Sequence, residues 1–152
     1  QREELNKIVD ISINPIKNRL KLSGKRGYKY PLNILLEITN KCNLKCTHCY
    51  KEAGYNKNDE IQTTHLLDKL EYLSSDVYEI QISGGEPMTH RNFKEIVNYV
   101  TENFRISTIT TAATLINYKN VHLFQGFSNV QVSLYSSDKE EHEKVTLIPR
   151  SF

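Results

Sequence analysis

The sequence predicts an α/β fold on a parallel sheet, and three observations carry that prediction. Apolar runs of strand length alternate with segments whose apolar residues recur at helical spacing, the pattern of successive βα units. The residues best suited to chemistry follow those runs: three cysteines after the first, Gly84-Gly85-Glu86-Pro87 after the second, and Ser133 late in the fourth. Right-handed βαβ sheets gather ligands at the carboxyl ends of their strands, so the three features are expected at one rim. Finally, 152 residues with 38% hydrophobic and 25% charged content suffice for a single core.

Residues 3–20 carry Leu5, Ile8 and Val9 at helical spacing, and Pro15 stops any long helix, so a short helix and an extended piece are expected. Residues 21–30 combine Gly24 and Gly27 with Lys21, Lys25, Arg26 and Lys29 and read as a solvated linker. The chain thus divides into an N-terminal helix and linker, 1–30, and a core, 31–152. Leu32 to Thr39 is a dense apolar run, read as a buried strand. After Asp59, the spacing of Leu66, Leu67, Leu70 and Leu73 marks an amphipathic helix with Thr63 or Thr64 near its cap. Val77 to Ser83 is the second strand, and Phe93, Ile96, Val97 and Val100 give the second helix. Ile106 to Thr111 is the third strand, Tyr118 to Phe124 a short helix, and Val130 to Tyr135 the fourth strand. The chain begins at Gln1 and its one methionine is Met88, which reads as a trimmed start. A sheet ending on an open fourth strand also calls for further strands beyond Phe152, because bare edges aggregate.

Composition excludes several function classes. A net charge of +2 gives no broad cationic field, so nucleic acid is not an expected partner. No apolar run approaches the roughly 18–20 residues of a membrane span, and Gln1-Arg2-Glu3-Glu4 does not open a signal peptide. Cys42, Cys46 and Cys49 are odd in number and clustered, which is not a disulfide framework. The expected compartment is the reducing cytoplasm.

The spacing C-x3-C-x2-C lets one loop wrap a metal centre. Three thiolates leave one iron of a cubane without a protein ligand; zinc would instead recruit His48, His65 or His90 into a Cys3His set. The cysteines alone leave both open. Gly84-Gly85 lets backbone approach a ligand closely, and Glu86 sets a carboxylate beside it, a partner that a structural zinc knuckle does not need. The plainer alternative is an ordinary strand-to-helix turn in which Glu86 is an exposed first-turn acid.

With C-x3-C-x-His-C after the first strand and Gly-Gly-Glu-Pro after the second, the chain resembles the radical S-adenosylmethionine superfamily over residues 31–152. The resemblance implies a partial (β/α)6 TIM-like barrel with about four βα units present. It implies a 4Fe–4S cluster on Cys42, Cys46 and Cys49, with S-adenosylmethionine chelating the open iron through its amino and carboxylate groups. Reductive cleavage to a 5′-deoxyadenosyl radical then abstracts hydrogen. By the same resemblance, Ser83, Gly84, Gly85 and Glu86 hold the methionine amino group, Ser133 reaches the ribose or carboxylate, and His48 lies against the adenine. A low-potential donor such as flavodoxin or ferredoxin is implied.

Val132-Ser133-Leu134-Tyr135-Ser136, then His142 and Pro149-Arg150-Ser151-Phe152, resemble the SPASM and twitch subfamilies, which implies peptide or protein maturation. A small-molecule substrate, as in cofactor biosynthesis, is the second reading; a non-catalytic zinc or iron–sulfur module is the third. Three departures stand out. His48 replaces the usual Tyr or Phe, His142-Glu143 and Arg150-Ser151-Phe152 stand where the subfamily has His-Asp and Gly-Ser-Phe, and Thr111-Ala112-Ala113 stands where many relatives have Thr-Asn-Gly. Neighbours such as Thr110, Thr111 or Thr114 are expected to supply the missing polar contact, and glycine at 113 is expected to cost backbone entropy relative to alanine. For His142 the plainer alternative is a surface histidine on a helix.

Overall fold

The computed structural model describes residues 32–55 and 59–152. The expected N-terminal helix and linker, 1–30, lie outside the described residues. Four parallel strands, β1 (Asn33–Glu37), β2 (Glu79–Ser83), β3 (Ile106–Thr111) and β4 (Asn129–Val132), form one sheet in sequential order. Leu36, Ile82, Ile109 and Val130 lie in one line across it. Helices α1 (Thr63–Leu73) and α2 (Phe93–Asn103) supply the crossovers, and α3 (Lys139–Thr146) follows β4. The α/β fold and its parallel sheet are as the sequence predicts.

Alternation within the strands explains the layering. Ile80, Ile82 and Ile109 are fully buried on the helix side, while Gln81, Thr108 and Thr110 alternate with them on the other. Leu66 and Leu70 of α1 and Phe93, Ile96, Val97 and Val100 of α2 complete the core with Ile38 and Phe124. Each such side chain contributes about 1.5–3 kcal/mol when taken from water. This core is what holds the strand ends, and hence the cysteine loop, in place.

The boundaries differ from expectation where polar side chains intervene. β1 ends at Glu37, and Thr39 instead makes an antiparallel bridge to Glu60 that turns the chain into the cysteine loop. The helix expected over 118–124 shrinks to a 3-10 turn, Val121–Phe124, because Asn117 and Asn120 bond neighbouring backbone: Asn120 Oδ1 accepts from Asn117 N–H at 2.7 Å and Asn117 Oδ1 from Lys119 N–H at 2.9 Å. β4 stops at Val132, and Tyr135 N–H turns to His142 Nδ1 at 3.3 Å. α3 is capped by Asp138, whose side chain accepts from Glu141 N–H at 2.9 Å. His142 sits on this helix, but it is no surface residue: only 3% of it is exposed.

Glu60 joins three segments. Its carboxylate receives Lys41 Nζ at 2.9 Å from the start of the cysteine loop and Arg91 Nε from the approach to α2. The Lys41 and Arg91 cations hold its pKa at about 2, against an ordinary 4.5. A depressed carboxylate pKa stabilises the fold above the unfolded value, and that stabilisation is lost as pH falls through the folded one. Glu60→Gln should therefore lower the urea midpoint at pH 7, with the gap to wild type narrowing between pH 4.5 and about 2. A gap independent of pH would show that the charge is immaterial.

Candidate active site

The cysteine loop has little apolar content, so backbone hydrogen bonds fix it. Gly85 N–H donates to Thr39 O and Glu86 N–H to Lys41 O, both at 2.8 Å, tying the loop to the end of β2. From the other side, the last carbonyls of α3 accept two amides: Lys45 N–H to Thr146 O at 3.0 Å and Thr47 N–H to Val145 O at 2.9 Å. Helix carbonyls at a C-terminus have no intrahelical partner, so α3 supplies these acceptors at no cost to itself. This clamp was not legible in the sequence, because α3 carries few apolar residues.

The glycines serve the same join. A Cβ on Gly84 would lie 2.5 Å from Thr39 O, and one on Gly85 would lie 2.1 Å from Lys41 O. Gly84 also has φ +142°, which L side chains rarely adopt. The close approach that these glycines permit is therefore first of all to the cysteine loop.

Cys42, Cys46 and Cys49 face one cavity of about 240 Å3 at the carboxyl ends of the strands, and Ser83, Gly84, Gly85 and Ser133 line it with them. His48 is at its rim, exposed, with its ring edge-on to Tyr135 at 4.7 Å between centroids. Tyr135, Tyr50, Lys51, Thr110 and Thr111 also line the cavity. Sequence reasoning missed Tyr50 and Lys51, because their neighbourhood is made by the fold and no motif marks them; it named Tyr135 only within the SPASM-like segment and Thr110 and Thr111 only as substitutes for the missing asparagine contact.

Glu86 is the exception. It is 1% exposed and does not line the cavity. Its carboxylate accepts from Thr111 Oγ1 at 2.8 Å, Ala112 N–H at 2.8 Å and Met88 N–H at 3.2 Å. Burial pushes its pKa up, and those three donors oppose the rise. The three donors make this carboxylate brace the end of β2 against the end of β3. It is not the exposed first-turn acid of the plainer alternative.

The donor set fits a cluster better than one ion. Three thiols line a single cavity. A cubane takes its thiolates on separate irons, whereas tetrahedral zinc needs four donors on one centre. Of the histidines offered for zinc, His48 lines the cysteine cavity at its rim, whereas His90 is buried with Nε2 on Ile61 O at 2.9 Å and Nδ1 accepting from Asn92 N–H at 3.1 Å, and His65 is exposed on α1. Burial raises the Cys42 and Cys46 thiols, so they stay protonated until metal displaces the proton.

Ala112 and Ala113 sit where the polar contact was expected to be lost. Thr111 Oγ1 accepts from Ala113 N–H at 3.0 Å, and Thr114 Oγ1 accepts from Asn43 Nδ2 at 2.7 Å. Ala113 has φ +62°. Glycine there would relieve strain, so the expected entropic penalty is not the deciding effect.

These features define a class of protein. The sequence pattern of the radical SAM superfamily matches residues 36–150, and the chain belongs to that superfamily of enzymes, which use a 4Fe–4S cluster and S-adenosylmethionine. The chain is 27% identical over 140 residues to the antilisterial bacteriocin subtilosin biosynthesis protein AlbA of Bacillus subtilis, covering 90% of this chain and 31% of that one. It is 33% identical over 115 residues to a probable GTP 3′,8-cyclase of Methanococcus maripaludis, covering 73% and 39%. In fold it is similar to Streptococcus suis SuiB, solved with S-adenosylmethionine (TM-score 0.70, 18% identity, 95% and 39% covered) and with its precursor peptide SuiA (0.70, 16%, 97% and 40%). The chain thus spans about a third of the length of these curated relatives.

Two outcomes test the site's framework. Glu86→Gln puts an amide where three donors converge, leaving at least one unsatisfied; it should cost about 1–3 kcal/mol in urea unfolding. A variant as stable as wild type would contradict the bracing role. Ala113→Gly removes a left-handed alanine worth roughly 1–2 kcal/mol of strain against roughly 0.5–1 kcal/mol of added chain entropy. Its Tm should stay level or rise by a few degrees, and a clear fall would count against the strained turn.

Proposed function

We propose that the chain is the cluster-bearing core, residues 31–152, of a radical S-adenosylmethionine enzyme that modifies a peptide or protein. The observation that carries the reading is the single cavity shared by Cys42, Cys46, Cys49, Ser83, Gly84, Gly85 and Ser133. In this reading each cysteine holds one iron and the fourth iron is left for the amino and carboxylate groups of S-adenosylmethionine. Ser83, Gly84, Gly85 and Glu86 at the end of β2 would hold the methionine amino group, and the N–H groups of Gly85 and Glu86 tie that turn to the cysteine loop. Ser133 serves the ribose or carboxylate, and His48 at the rim packs against the adenine. When bound, the cofactors supply a 5′-deoxyadenosyl radical for hydrogen abstraction. The protein's part is to hold the thiolates, orient the methionyl group and keep bulk water from the site. A low-potential donor such as flavodoxin or ferredoxin delivers the electron.

The peptide substrate is supported by the name of AlbA and by the SuiB complex with its precursor peptide. A second reading, a nucleotide or other small molecule, is favoured by the higher identity to the GTP 3′,8-cyclases. Anaerobic reconstitution with iron and sulfide tests the common ground. Wild type should bind about four irons per chain, turn brown and release 5′-deoxyadenosine from S-adenosylmethionine after dithionite reduction. Cys46→Ala should lose both iron and colour. A colourless wild type holding one zinc would overturn the reading. Full-length protein incubated with GTP and with any small precursor peptide found encoded beside its gene then separates the substrates: a mass change in the peptide supports the first, GTP consumption the second.

No described helix is long and apolar enough to cross a membrane.

A further inference from the structure

A second cavity, of about 360 Å3, adjoins the cysteine cavity, and Ala112 and Ser133 line both. Val132, Leu134 and Phe152 line it with exposed apolar side chains, while Arg150 and Thr114 line it with donors. Thr114 Oγ1 accepts from Asn43 Nδ2 at 2.7 Å, which leaves its own hydrogen to donate. His142 lines the cavity as well. Its Nδ1 accepts from Tyr135 N–H at 3.3 Å, so Nε2 carries the ring's hydrogen, and that buried nitrogen has no partner among the described residues. Among the described residues no aspartate or glutamate lines this cavity. Its polar wall is therefore rich in donors and carries one full positive charge, on Arg150.

Arg150 stands there against a local cost. Its φ is +65°, a region that side chains other than glycine's visit rarely. Non-glycine residues held in such a conformation gather at functional sites. Glu143 Oε1 accepts from Arg150 N–H at 2.7 Å, but that bond uses the main chain, and glycine would make it equally well. What the side chain alone adds is a guanidinium at the cavity wall, and no ion pair among the described residues engages it.

We propose that this second cavity is a substrate subsite, which takes the carboxylate of a glutamate or aspartate side chain in a peptide. The planar fork of a guanidinium matches a carboxylate with two parallel bonds, and the methylene stem of an acidic side chain packs on Val132 and Leu134. One carboxylate balances one arginine, whereas the several negative charges of a nucleotide polyphosphate find no second cation among these lining residues. The inference deepens the peptide reading and rests on it: the wall shared at Ser133 sets the subsite beside the cavity in which that reading puts the cofactors.

The test is calorimetric titration of the full-length protein with N-acetyl-glutamate amide and with N-acetyl-glutamine amide, which has nearly the same shape and no charge. Wild type should bind the glutamate probe about tenfold more tightly, and equal affinities overturn the proposal. Arg150→Gly suits the left-handed backbone and should erase the preference, while Arg150→Lys should keep part of it. A preference that survives Arg150→Gly overturns the proposal. The affinity for S-adenosylmethionine should be the same in Arg150→Gly and wild type; a parallel loss would assign the guanidinium to the cofactor and overturn the subsite. Tripolyphosphate bound through Arg150 more tightly than the glutamate probe would overturn the choice of a carboxylate. Iron content and colour of wild type report on the cluster reading alone, and probe affinities are read without turnover, so each can fail without the other.

Discussion

Glu86 is a carboxylate that the fold takes almost wholly out of water, 1% exposed, and the arrangement of the site depends on how it is satisfied. Desolvating a carboxylate costs several kcal/mol unless donors meet it, and here donors from both strands' ends do: Met88 N–H from its own turn, Thr111 Oγ1 and Ala112 N–H from β3. The same residue's amide reaches Lys41 O in the cysteine loop. One buried acid thus fixes three pieces of chain that no apolar contact could align: the end of β2, the end of β3 and the start of the loop. Only with those fixed can the two glycines come as near to Thr39 and Lys41 as they do.

Much of this was legible in the sequence, for definite reasons. Strand and helix positions followed from isoleucines and leucines whose spacing matched 2.0 or 3.6, and these are the residues the core buries. The cavity's cysteines, glycines and Ser133 were legible because each follows a strand, and parallel topology brings strand ends together. What stayed hidden was made by partners distant in sequence. That Glu86 braces two strand ends shows only once Thr111 and Ala112 are seen to donate to its oxygens. His142 reads as a surface histidine until Tyr135 and Phe152 close over it, with the ring of Phe152 at 5.7 Å. α3 itself was concealed because its signal is an Asp138 cap and acids in the first turn, and apolar periodicity is nearly absent.

Backbone strain gathers around the same rim. Ala113, Leu147 and Arg150 all take left-handed φ values, 62°, 57° and 65°, without being glycine. Two of them, Ala113 and Arg150, stand where the resembling family places glycine. Such positions persist only when the surroundings over-determine them. Here they are over-determined: Ala113 N–H is held by Thr111 Oγ1, Leu147 N–H by Glu143 O, and Arg150 N–H by Glu143 Oε1 at 2.7 Å. Glu143 therefore restrains both turns after α3 and, through them, the carbonyls that clamp the cysteine loop.

The sheet's two faces set what can happen beyond the rim. On the helix side isoleucines interlock, but on the other side Gln81 Nε2 donates to Thr110 Oγ1 at 3.0 Å and Thr110 donates on to Gln131 Oε1 at 3.3 Å. A closed barrel of eight strands packs the corresponding face with branched apolar side chains. Hydrogen-bonding groups there mean that a guest meets polar atoms already paired with one another, so every new bond replaces an existing one and nets little energy. Such a surface discriminates by geometry more than it attracts. Tight binding of any ligand that meets this face therefore has to come from contacts away from it, while the face itself limits what can lie close to the cysteine rim.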